Sequence, residues 1–406
     1  MNITLDPGAA VLLERLHVAG YAAYAVGGCV RDSLLGRSPH DWDLCTSALP
    51  QQVMALFGEE QCIPTGLQHG TVTVKQGGEL YEITTFRTEG SYTDGRHPDE
   101  VRFVPEVTED LARRDFTINA MAYSPAEGLI DPFGGRQDLQ QGLVRAVGVP
   151  EQRFEEDALR IMRLYRFAAR YGFAIDPATA AAADALSGRL PCVSVERIEE
   201  ELTKLLCAPA PGAYLAPQMM AVVLPELSAP ALETARTQLD RCPAGEQGLT
   251  VRLAVLLASL GEAGARAVLK RLRCSNACID QTSQLVREQA LCPECDPAAR
   301  RLQAKRLLGA LGLEQLARLT ALCTALRPED AETLAALYEQ AQALERAQVC
   351  CRVSQLAVNG RDLMAAGIPA GRGLRTVLEA LLDEVMQETL PNDRTALLER
   401  AGEMTL

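Results

Sequence analysis

The aromatic residues of this 406-residue chain are confined almost entirely to its first 173 residues. The single tryptophan, all eight phenylalanines and seven of the nine tyrosines lie there, leaving only Tyr214 and Tyr338 further along. The same part contains β-branched runs between Gly and Pro residues, such as TVTVK at 71–75, which predict strands. From about residue 153 onward, Ala, Leu, Arg and Glu recur at helical spacing. We therefore predict an α/β head with a small mixed sheet, followed by an all-helical neck, body and tail.

We predict a head over 1–143, a neck over 144–207, a body over 208–300 and a tail over 301–406. The stretch 205–225 carries no charge, but it contains four prolines, too many for a membrane-spanning helix. We therefore predict no association with a membrane.

Charge and cysteine content limit the class of protein. The chain has 40 Lys and Arg against 53 Asp and Glu, a net charge of -13, which by itself argues against a nucleic-acid partner. The first apolar stretch is interrupted by Asp6, Glu14 and Arg15, so we expect no signal peptide. Thirteen cysteines without a leader predict reduced thiols. These features favour a folded cytoplasmic protein with no obligatory protein partner.

A Gly-Gly turn between a predicted strand and a short helix is followed by two closely spaced aspartates. Gly27 and Gly28 would let backbone N–H groups approach phosphate oxygens. Asp41 and Asp43 lie two residues apart on a predicted extended segment, so their carboxylates would share one face. Such carboxylates repel each other, and their hard oxygens suit Mg²⁺ held jointly with substrate phosphates. A plain turn and a solvated polar edge are the alternatives for either pattern taken alone.

The order of these patterns resembles the nucleotidyltransferase head of the tRNA CCA-adding enzymes and the bacterial poly(A) polymerases. The similarity rests on GGCVRD at 27–32, DWDL at 41–44, RRDFTINA at 113–120, DPFGG at 131–135, EDALRIMR at 156–163 and SVERI at 194–198. Beyond about residue 205 it thins, although NGRDL at 359–363 and GIPAG at 367–371 resemble the tail of the shorter bacterial CCA-adding enzymes. The resemblance implies a nucleotidyltransferase-type head, base recognition in the neck and tRNA binding by the tail.

Transfer of a nucleotidyl group to an RNA 3′-hydroxyl needs Mg²⁺ ligands, a held triphosphate and an aligned hydroxyl. We predict Asp41 and Asp43 as the catalytic metal ligands and Glu82 as a third ligand, with an edge-strand glutamate as its alternative. The resemblance implies that the nucleotide contacts Gly27, Gly28, Arg31, Asp32, Arg113, Arg114, Asp115 and Asn119. Arg163 and Arg166 extend the row of basic residues. We assign them either to contacts with phosphate or to ion pairs within the protein.

We assign recognition of the base to Asp157 and Arg160. These residues lie three apart on one face of a predicted helix, so a carboxylate and a guanidinium can project side by side. Cytosine and adenine both present an amino donor beside a ring-nitrogen acceptor, which suits this pair. Guanine and uracil would place a carbonyl against the carboxylate. The pair therefore predicts selection of C and A without a nucleic-acid template, an intrahelical salt bridge being the alternative.

Two segments favour CCA addition over poly(A) synthesis. PTGLQHGT at 64–71 resembles a segment of the CCA-adding enzymes, and the arginine-rich GRRF-like segment of poly(A) polymerases is missing there. The polar stretch 87–98 resembles the flexible loop of full CCA adders, a mobile connection being its alternative. No histidine follows His97, so we expect the HD phosphohydrolase activity of larger relatives to be absent.

We therefore predict a tRNA nucleotidyltransferase that uses CTP, ATP and Mg²⁺ to build or repair the 3′ CCA end. The alternatives are a poly(A) polymerase, a CC-only or A-only adder, and a catalytically idle RNA-binding protein. The acceptor and T arms of tRNA would be held mainly through phosphates and shape. In the basic stretch 266–306, we predict tRNA contacts for Arg271, Arg273, Arg301 and Lys305, with a solvated helix face as the alternative.

Four cysteines raise the question of a second metal. Cys274, Cys278, Cys292 and Cys295 form two pairs whose thiolates could hold zinc. The first pair has helical spacing, and the resembled family does not call for zinc. We therefore favour free thiols at all four positions.

Overall fold

The structure, a computed structural model, describes residues 3–90, 101–369 and 371–404. The chain forms two compact units. The first runs to Leu232 and includes Arg271–Arg273, and the second comprises Glu233–Lys270 and the chain from Cys274 onward. The predicted boundaries at 143, 207 and 300 fall inside these units and stay predictions. Most of the loop predicted at 87–98 lies outside the described residues.

The first unit contains strands in its early part and helices after them. Its elements are α1 (Pro7–Val18), β1 (Ala23–Val26), α2 (Gly28–Leu34), β2 (Leu44–Thr46), α3 (Pro50–Phe57), β3 (Cys62–Gly66), β4 (Thr71–Gln76), β5 (Glu79–Thr85), β6 (Arg87–Glu89), β7 (Val101–Phe103), α4 (Val107–Ala112), β8 (Ala122–Ser124), β9 (Gly128–Ile130), α5 (Gly135–Gln141), β10 (Leu143–Val144), α6 (Pro150–Glu156), α7 (Leu159–Tyr171), β11 (Ala174–Ile175), α8 (Pro177–Leu186), α9 (Val195–Leu206) and α10 (Pro217–Val223). This confirms the predicted α/β head and the helical segment that follows it.

Seven strands form one mixed sheet in the order β3-β4-β5-β2-β1-β8-β9. Within this sheet β2 and β5 are parallel, with Leu44 beside Ile83, and the other neighbouring strands are antiparallel. All four residues of β1 are buried, as expected for an apolar strand at the centre of a sheet. Tyr24, Phe86 and Leu111 belong to the apolar core that covers this region, so β1, β5 and α4 are held in fixed positions around the site described below.

The rest of the chain contains helices joined by turns and irregular segments, with no strand among the described residues. Its helices are α11 (Ala229–Leu239), which begins in the first unit, α12 (Leu249–Leu257), α13 (Gly261–Arg271), α14 (Asn276–Glu288), α15 (Pro297–Leu326), α16 (Ala331–Arg346), α17 (Gly360–Ala365), α18 (Arg372–Met386) and α19 (Arg394–Met404). Gly312, with φ 74°, breaks α15 into two helical stretches. Leu363, Leu381 and Leu397 pack together from α17, α18 and α19, so the final helices share an apolar core.

One described segment, Glu246–Arg271, is long and apolar enough to cross a membrane by length and composition alone. Half of its most apolar stretch is buried within the protein. The segment is also interrupted, because a 3₁₀ turn at Ala258–Leu260 and Gly261, with φ 66°, separate α12 from α13. It is therefore a pair of packed helices in this structure.

Candidate active site

A cavity of about 1210 Å³ opens in the first unit. It is lined by Gly27, Gly28, Arg31, Asp41, Asp43, Gly66, His69, Thr71, Glu82, Arg87, Arg113, Arg114, Asp115, Asn119, Asp157, Arg160, Arg163, Arg166, Phe167, Arg170, Arg197 and Lys204. Every residue predicted to bind metal or nucleotide is among them except Asp32. Residues separated by more than 120 positions in the chain are thus brought to one place.

The lining of this cavity is strongly basic although the whole chain is acidic. Ten of the lining residues are Arg or Lys and five are Asp or Glu, in a protein whose net charge is -13. Field lines concentrate in a cleft lined by one sign of charge, which raises the local concentration of oppositely charged ligands. The cavity is therefore suited to a polyanion such as a nucleoside triphosphate.

The glycine turn between β1 and α2 forms one wall of the cavity. Gly27 has φ 75°, a conformation that side-chain-bearing residues rarely adopt. A Cβ at this position would lie 2.8 Å from Nη1 of Arg114. Glycine is required there because the backbone and the arginine approach each other closely. Nε of Arg114 is buried without a hydrogen-bond partner among the described residues, which leaves a donor for a ligand.

Three carboxylates line another wall. Asp41 and Asp43 directly precede β2, and Glu82 lies on β5, the parallel neighbour of β2. Removal from water raises the pKa of Asp43; the negative charge of Glu82 raises it further, Arg114 lowers it, and Asp41 raises it. Asp41 also lies 3.1 Å from Nδ1 of the exposed His40. Repulsion among the carboxylates favours a cation between them.

These carboxylates fit a magnesium ion that shares its ligands with a substrate. Among the described residues, no three His, Cys, Asp or Glu side chains are grouped closely enough to form a metal site by themselves. Mg²⁺ commonly takes one or two protein carboxylates and completes its shell with water and substrate phosphates. Asp41 and Asp43 match that requirement, and Glu82 is near enough to Asp43 to influence its charge.

A chain of buried polar contacts links α2 to α7. Nη1 of Arg31 donates to Oδ1 of Asn119, whose Nδ2 donates to Asp115 at 3.0 Å. Nε and Nη2 of Arg163 donate to the other oxygen of Asp115 at 2.9 and 2.7 Å. Burial alone would raise the pKa of Asp115, but Arg163 and Asn119 hold it well below its usual range. Asp115 is thus a charged bridge between the two sides of the cavity.

Phe167 and Glu201 organise the remaining arginines of this wall. The Cζ atoms of Arg31, Arg163 and Arg166 lie 5.2, 5.4 and 3.9 Å from the centroid of the Phe167 ring. Nε of Arg166 donates to Oε2 of Glu201, which is buried. Guanidinium groups stack readily on aromatic faces, so the ring holds Arg163 and Arg166 of α7 beside Arg31 of α2.

Asp32 lies outside the cavity lining. Its Oδ1 accepts hydrogen bonds from Nε of Arg31 and from the Tyr171 hydroxyl, at 2.9 and 2.8 Å. Burial opposes the charge of Asp32, yet Arg31 and Tyr171 lower its pKa overall. These contacts support a role in orienting Arg31.

Asp157 and Arg160 both line the cavity, but they do not sit on one continuous helix. The backbone of Asp157 is extended, with φ -146°, and separates α6 from α7. Its carboxylate accepts from the backbone N–H of Leu159 at 3.0 Å, which explains the break, because an aspartate side chain can satisfy a free N–H at a helix start. The expectation of one helix face was therefore wrong, although the two side chains remain in one cavity.

Each member of this pair has its own support. Nη1 and Nη2 of Arg197 on α9 donate to the two oxygens of Asp157 at 3.3 and 2.7 Å. Nη1 of Arg160 donates to Glu156 at 2.5 Å, and its Nη2 donates to the carbonyl of Arg113 at 3.0 Å. No contact between the side chains of Asp157 and Arg160 is needed to hold them, so the intrahelical salt bridge considered above is not what fixes their positions.

None of the four residues predicted to contact tRNA lines this cavity. Arg271 and Arg273, in the first unit, pair with Glu226 and with Glu196. In the second unit Arg301 pairs with Glu388 at 3.4 Å. Nζ of Lys305, which is buried, donates to the carbonyl of Met386 and to Glu388. The burial of Lys305 favours a structural role for this residue, and the tRNA contacts stay predictions.

The cysteines form no disulfide among the described residues. Cys292 and Cys295 are exposed, and Cys274 and Cys278 are partly buried. Among the described residues, these four cysteines do not belong to any group of three or more side chains that could hold a metal ion.

Some lining residues were not singled out from the sequence. Phe167 and Lys204 belong to helical patterns in which they resemble ordinary core and surface positions, and Arg87 and Thr71 belong to strands. The signal that could have identified Phe167 is its spacing from Arg163, one helical turn away, which allows a stacked pair.

Comparisons with known proteins agree with this arrangement. Residues 23–145 match the family model described as poly A polymerase head domain. Residues 172–229 match the probable RNA and SrmB-binding site of polymerase A, and 249–401 match tRNA nucleotidyltransferase domain 2, putative. The matches follow one another along the chain and cover its head and most of its helical part.

Several relatives that are similar over nearly the whole chain are named CCA-adding enzymes. A CCA-adding enzyme of Limosilactobacillus fermentum is 36% identical over 402 residues, which cover 97% of this chain and 96% of the relative. The crystal structure of the Bacillus stearothermophilus CCA-adding enzyme in complex with CTP has a TM-score of 0.83 at 33% identity, covering 99% of this chain and 98% of the other. The Thermotoga maritima CCA-adding enzyme complexed with tRNA_CCA shares the fold, with a TM-score of 0.71 at 20% identity over 99% and 97% of the two chains. Because the first two similarities extend over nearly the whole of both chains, this protein belongs to the CCA-adding enzymes.

Proposed function

We propose that the protein adds or repairs the 3′ CCA of tRNA, taking CTP and ATP as substrates, with no nucleic-acid template and with release of diphosphate. The observation that carries this proposal is a single basic cavity in which the glycine turn, the Asp41 and Asp43 carboxylates and the Asp157 and Arg160 pair all meet. Membership of the CCA-adding enzymes and the likeness to a CTP complex support the same activity. The proposed setting is the cytoplasm.

The nucleotide would lie along the arginines that line the cavity. We assign the triphosphate to the Gly27-Gly28 turn and Arg31, where backbone N–H groups and a planar guanidinium suit phosphate oxygens. Arg113 and Arg114 would contact the sugar and phosphates. Asp115 and Asn119 are buried between Arg31 and Arg163, and we assign them to holding these arginines as well as to the nucleotide. Arg163 and Arg166 would extend the cationic wall.

The base would be read by Asp157 and Arg160. Arg197 orients the Asp157 carboxylate through two hydrogen bonds, so that it can accept from the amino group of cytosine or adenine. Arg160 would donate to the adjacent ring nitrogen. A carbonyl in place of the amino group, as in uracil or guanine, would face the carboxylate without a donor, which costs affinity.

Mg²⁺ would be held by Asp41 and Asp43, with Glu82 as a third candidate. A bound Mg²⁺ neutralises charge on the phosphates and favours ionisation of the attacking hydroxyl. The chain itself supplies the cavity that holds the triphosphate in line with the tRNA 3′ end, and such alignment accounts for much of the rate of a transfer reaction.

The test is an incorporation assay with the intact protein. The protein is incubated with Mg²⁺, labelled CTP or ATP, and three tRNA substrates that end before CCA, after C or after CC. We expect the additions C, C and A, in that order, followed by a stop. Long A tails would identify a poly(A) polymerase, and addition confined to C or to A would identify a partial adder. No incorporation into any substrate would refute the proposal.

A further inference from the structure

Asp110 is a buried carboxylate that does not line the cavity. It lies on α4, three and four residues before Arg113 and Arg114, and its side chain is 0% exposed. A carboxylate removed from water this completely is stable only with close cationic and hydrogen-bonding partners. The partners of Asp110 therefore show what holds this charge in place.

Those partners are two arginines of the cavity wall and one backbone amide. Nε and Nη2 of Arg113 donate to Oδ1 of Asp110 at 3.0 and 2.8 Å. Nη2 of Arg114 donates to Oδ2 at 3.4 Å, and the backbone N–H of Arg87 donates to Oδ1 at 3.3 Å. One carboxylate thus fixes two neighbouring guanidinium groups, which would otherwise repel each other.

The two arginines also interact with other residues that line the cavity. Nη1 of Arg114 lies against Gly27, and the charge of Arg114 acts on Asp43. The carbonyl of Arg113 accepts from Nη2 of Arg160 at 3.0 Å. Asp110 is therefore one contact away from the glycine turn, through the guanidinium of Arg114, whereas Arg160 meets only the backbone of Arg113; Asp110 itself does not line the cavity.

The contact with Arg87 brings in a further part of the cavity wall. Arg87 is the first residue of β6, and its Nη1 donates to the carbonyl of His69. Both Arg87 and His69 line the cavity. The Asp110 carboxylate accordingly ties the start of β6 to the arginines that follow α4.

We propose that Asp110 is a positioning residue, which aims Arg113 and Arg114 at the sugar and triphosphate that CTP and ATP have in common. This inference rests on the proposed function, which assigns the two arginines to the nucleotide. Because Asp110 acts through groups that do not read the base, its loss should weaken the binding of CTP and the binding of ATP equally. Loss of a base-reading residue would change the balance between them.

The test is Asp110→Asn, which keeps the shape of the side chain and removes its charge. Dissociation constants for CTP and ATP are measured with Mg²⁺ by calorimetry, at a temperature where each variant is fully folded. We expect both constants to rise by a common factor of about ten or more, the scale of one lost charge-assisted contact. In the incorporation assay, KM should rise by that factor and kcat should change less.

The matched control is Asp138→Asn. Asp138 is also a buried aspartate of the first unit, paired with Arg145 and Thr117, and it does not line the cavity. We expect it to lower the melting temperature while leaving both dissociation constants within twofold of wild type. Unchanged binding in Asp110→Asn, a rise for one nucleotide only, or an equal loss in Asp138→Asn would overturn the inference.

A second measurement separates positioning from general damage. In a chain that already carries Arg113→Ala and Arg114→Ala, Asp110→Asn should weaken nucleotide binding no further, because residues acting as a unit are not additive. A further tenfold loss would overturn the inference. If Asp110→Asn does not fold, Asp110→Glu is used instead, because it keeps the charge but displaces it by one methylene. We expect Asp110→Glu to raise the dissociation constants for CTP and ATP by a common factor. Constants equal to those of the wild type would contradict the inference.

The two proposals fail in different ways. A wild-type protein that binds no CTP and extends no tRNA refutes the proposed function. A wild-type protein that does both, beside an Asp110→Asn variant with the same constants, refutes only the role of Asp110.

Discussion

At the scale of single residues, the site is built from charges that satisfy one another. Asp115 bridges Asn119 and Arg163, and Asp157 is held by Arg197. Asp41 and Asp43 differ from them, because they face the cavity without an arginine bonded to either carboxylate in the described contacts. Carboxylates that the protein itself leaves uncompensated are the ones available to a metal ion.

We expect Asp41→Ala and Asp43→Ala to lower the rate of incorporation about 1000-fold or more, because removal of a metal ligand removes charge stabilisation worth several kcal/mol. Both side chains border the cavity, so the melting temperature should change little. Single-turnover incorporation and thermal unfolding check the two expectations. Glu82→Gln is the companion variant: a similar loss would support a third ligand, and near wild-type activity would make it an ordinary strand residue.

Asp115→Asn should destabilise the first unit in a pH-dependent way. The native-state pKa of Asp115 lies below its unfolded value of about 3.9, so its charge stabilises the fold at neutral pH, and that contribution is lost as the pH falls through the native-state pKa. We expect a loss of about 3 kcal/mol at pH 7, the scale for breaking a buried ion pair, shrinking below about pH 4. Urea unfolding of both proteins across pH 7 to 2 measures this. A difference independent of pH would mean that the charge of Asp115 is not what stabilises the fold.

At the scale of elements, helix ends and turns place the side chains. α2 starts after Gly27 and is followed by Gly36, and both glycines have positive φ, of 75° and 69°. The α6 to α7 break at Asp157 sets the orientation of the pair proposed to read the base, Asp157 and Arg160. Short elements with glycine or aspartate at their ends therefore determine where the cavity has its polar groups.

The two glycines beside α2 form a matched pair of variants. A Cβ at Gly27 would meet Arg114 at 2.8 Å, whereas a Cβ at Gly36 would have no atom within 4 Å. Both alanine variants should lose about 1 kcal/mol of stability through the positive φ. Gly27→Ala alone should also weaken CTP binding, about tenfold or more, because Arg114 must move. Unfolding and calorimetry test this, and equal CTP binding by the two variants would contradict it.

Arg197 on α9 offers a test of how one helix supports another. Arg197→Ala should leave Asp157 without its bidentate partner, so that discrimination of CTP over UTP falls about tenfold. Incorporation of each nucleotide measures the ratio. Arg236→Ala, which removes an exposed ion pair with Glu233, is the control and should keep the wild-type ratio. A preserved ratio in Arg197→Ala would show that Asp157 needs no such support.

At the scale of the whole molecule, an acidic protein carries a basic cavity. The net charge is -13, yet Arg and Lys outnumber Asp and Glu two to one among the residues that line the cavity. The basic stretch at 266–306 that was expected to supply the positive surface has several of its arginines in ion pairs, among them Arg266 with Asp280 and Arg306 with Asp383. The charge that matters for a polyanionic substrate is local.

tRNA binding should therefore depend steeply on salt despite the net negative charge. Each phosphate contact contributes to the salt dependence, so a few contacts should weaken binding about tenfold or more between 50 and 200 mM salt. Filter binding over that range measures the slope. A flat dependence would show that phosphate contacts contribute little to tRNA binding. In that case the single variants Arg271→Ala and Arg273→Ala would also leave the slope of the salt dependence unchanged.

The sequence by itself determined the order of the elements and most members of the site. The glycine turn, the paired aspartates and the RRDFTINA segment are local patterns. Such patterns can be recognised in the sequence without knowledge of the tertiary contacts. The division between an α/β head and helices followed from the period of the apolar residues, which reflects backbone geometry.

Only the tertiary structure decided which of these residues meet. Asp43 and Glu82 come together because β2 and β5 are parallel neighbours, a pairing that no local pattern contains. Asp157 found its partner in Arg197, 40 positions away, and Asp32 turned out to face Tyr171 rather than the cavity. The physical reason is that a buried charge must be compensated by whichever groups the packed chain brings to it, and that choice depends on contacts between distant segments.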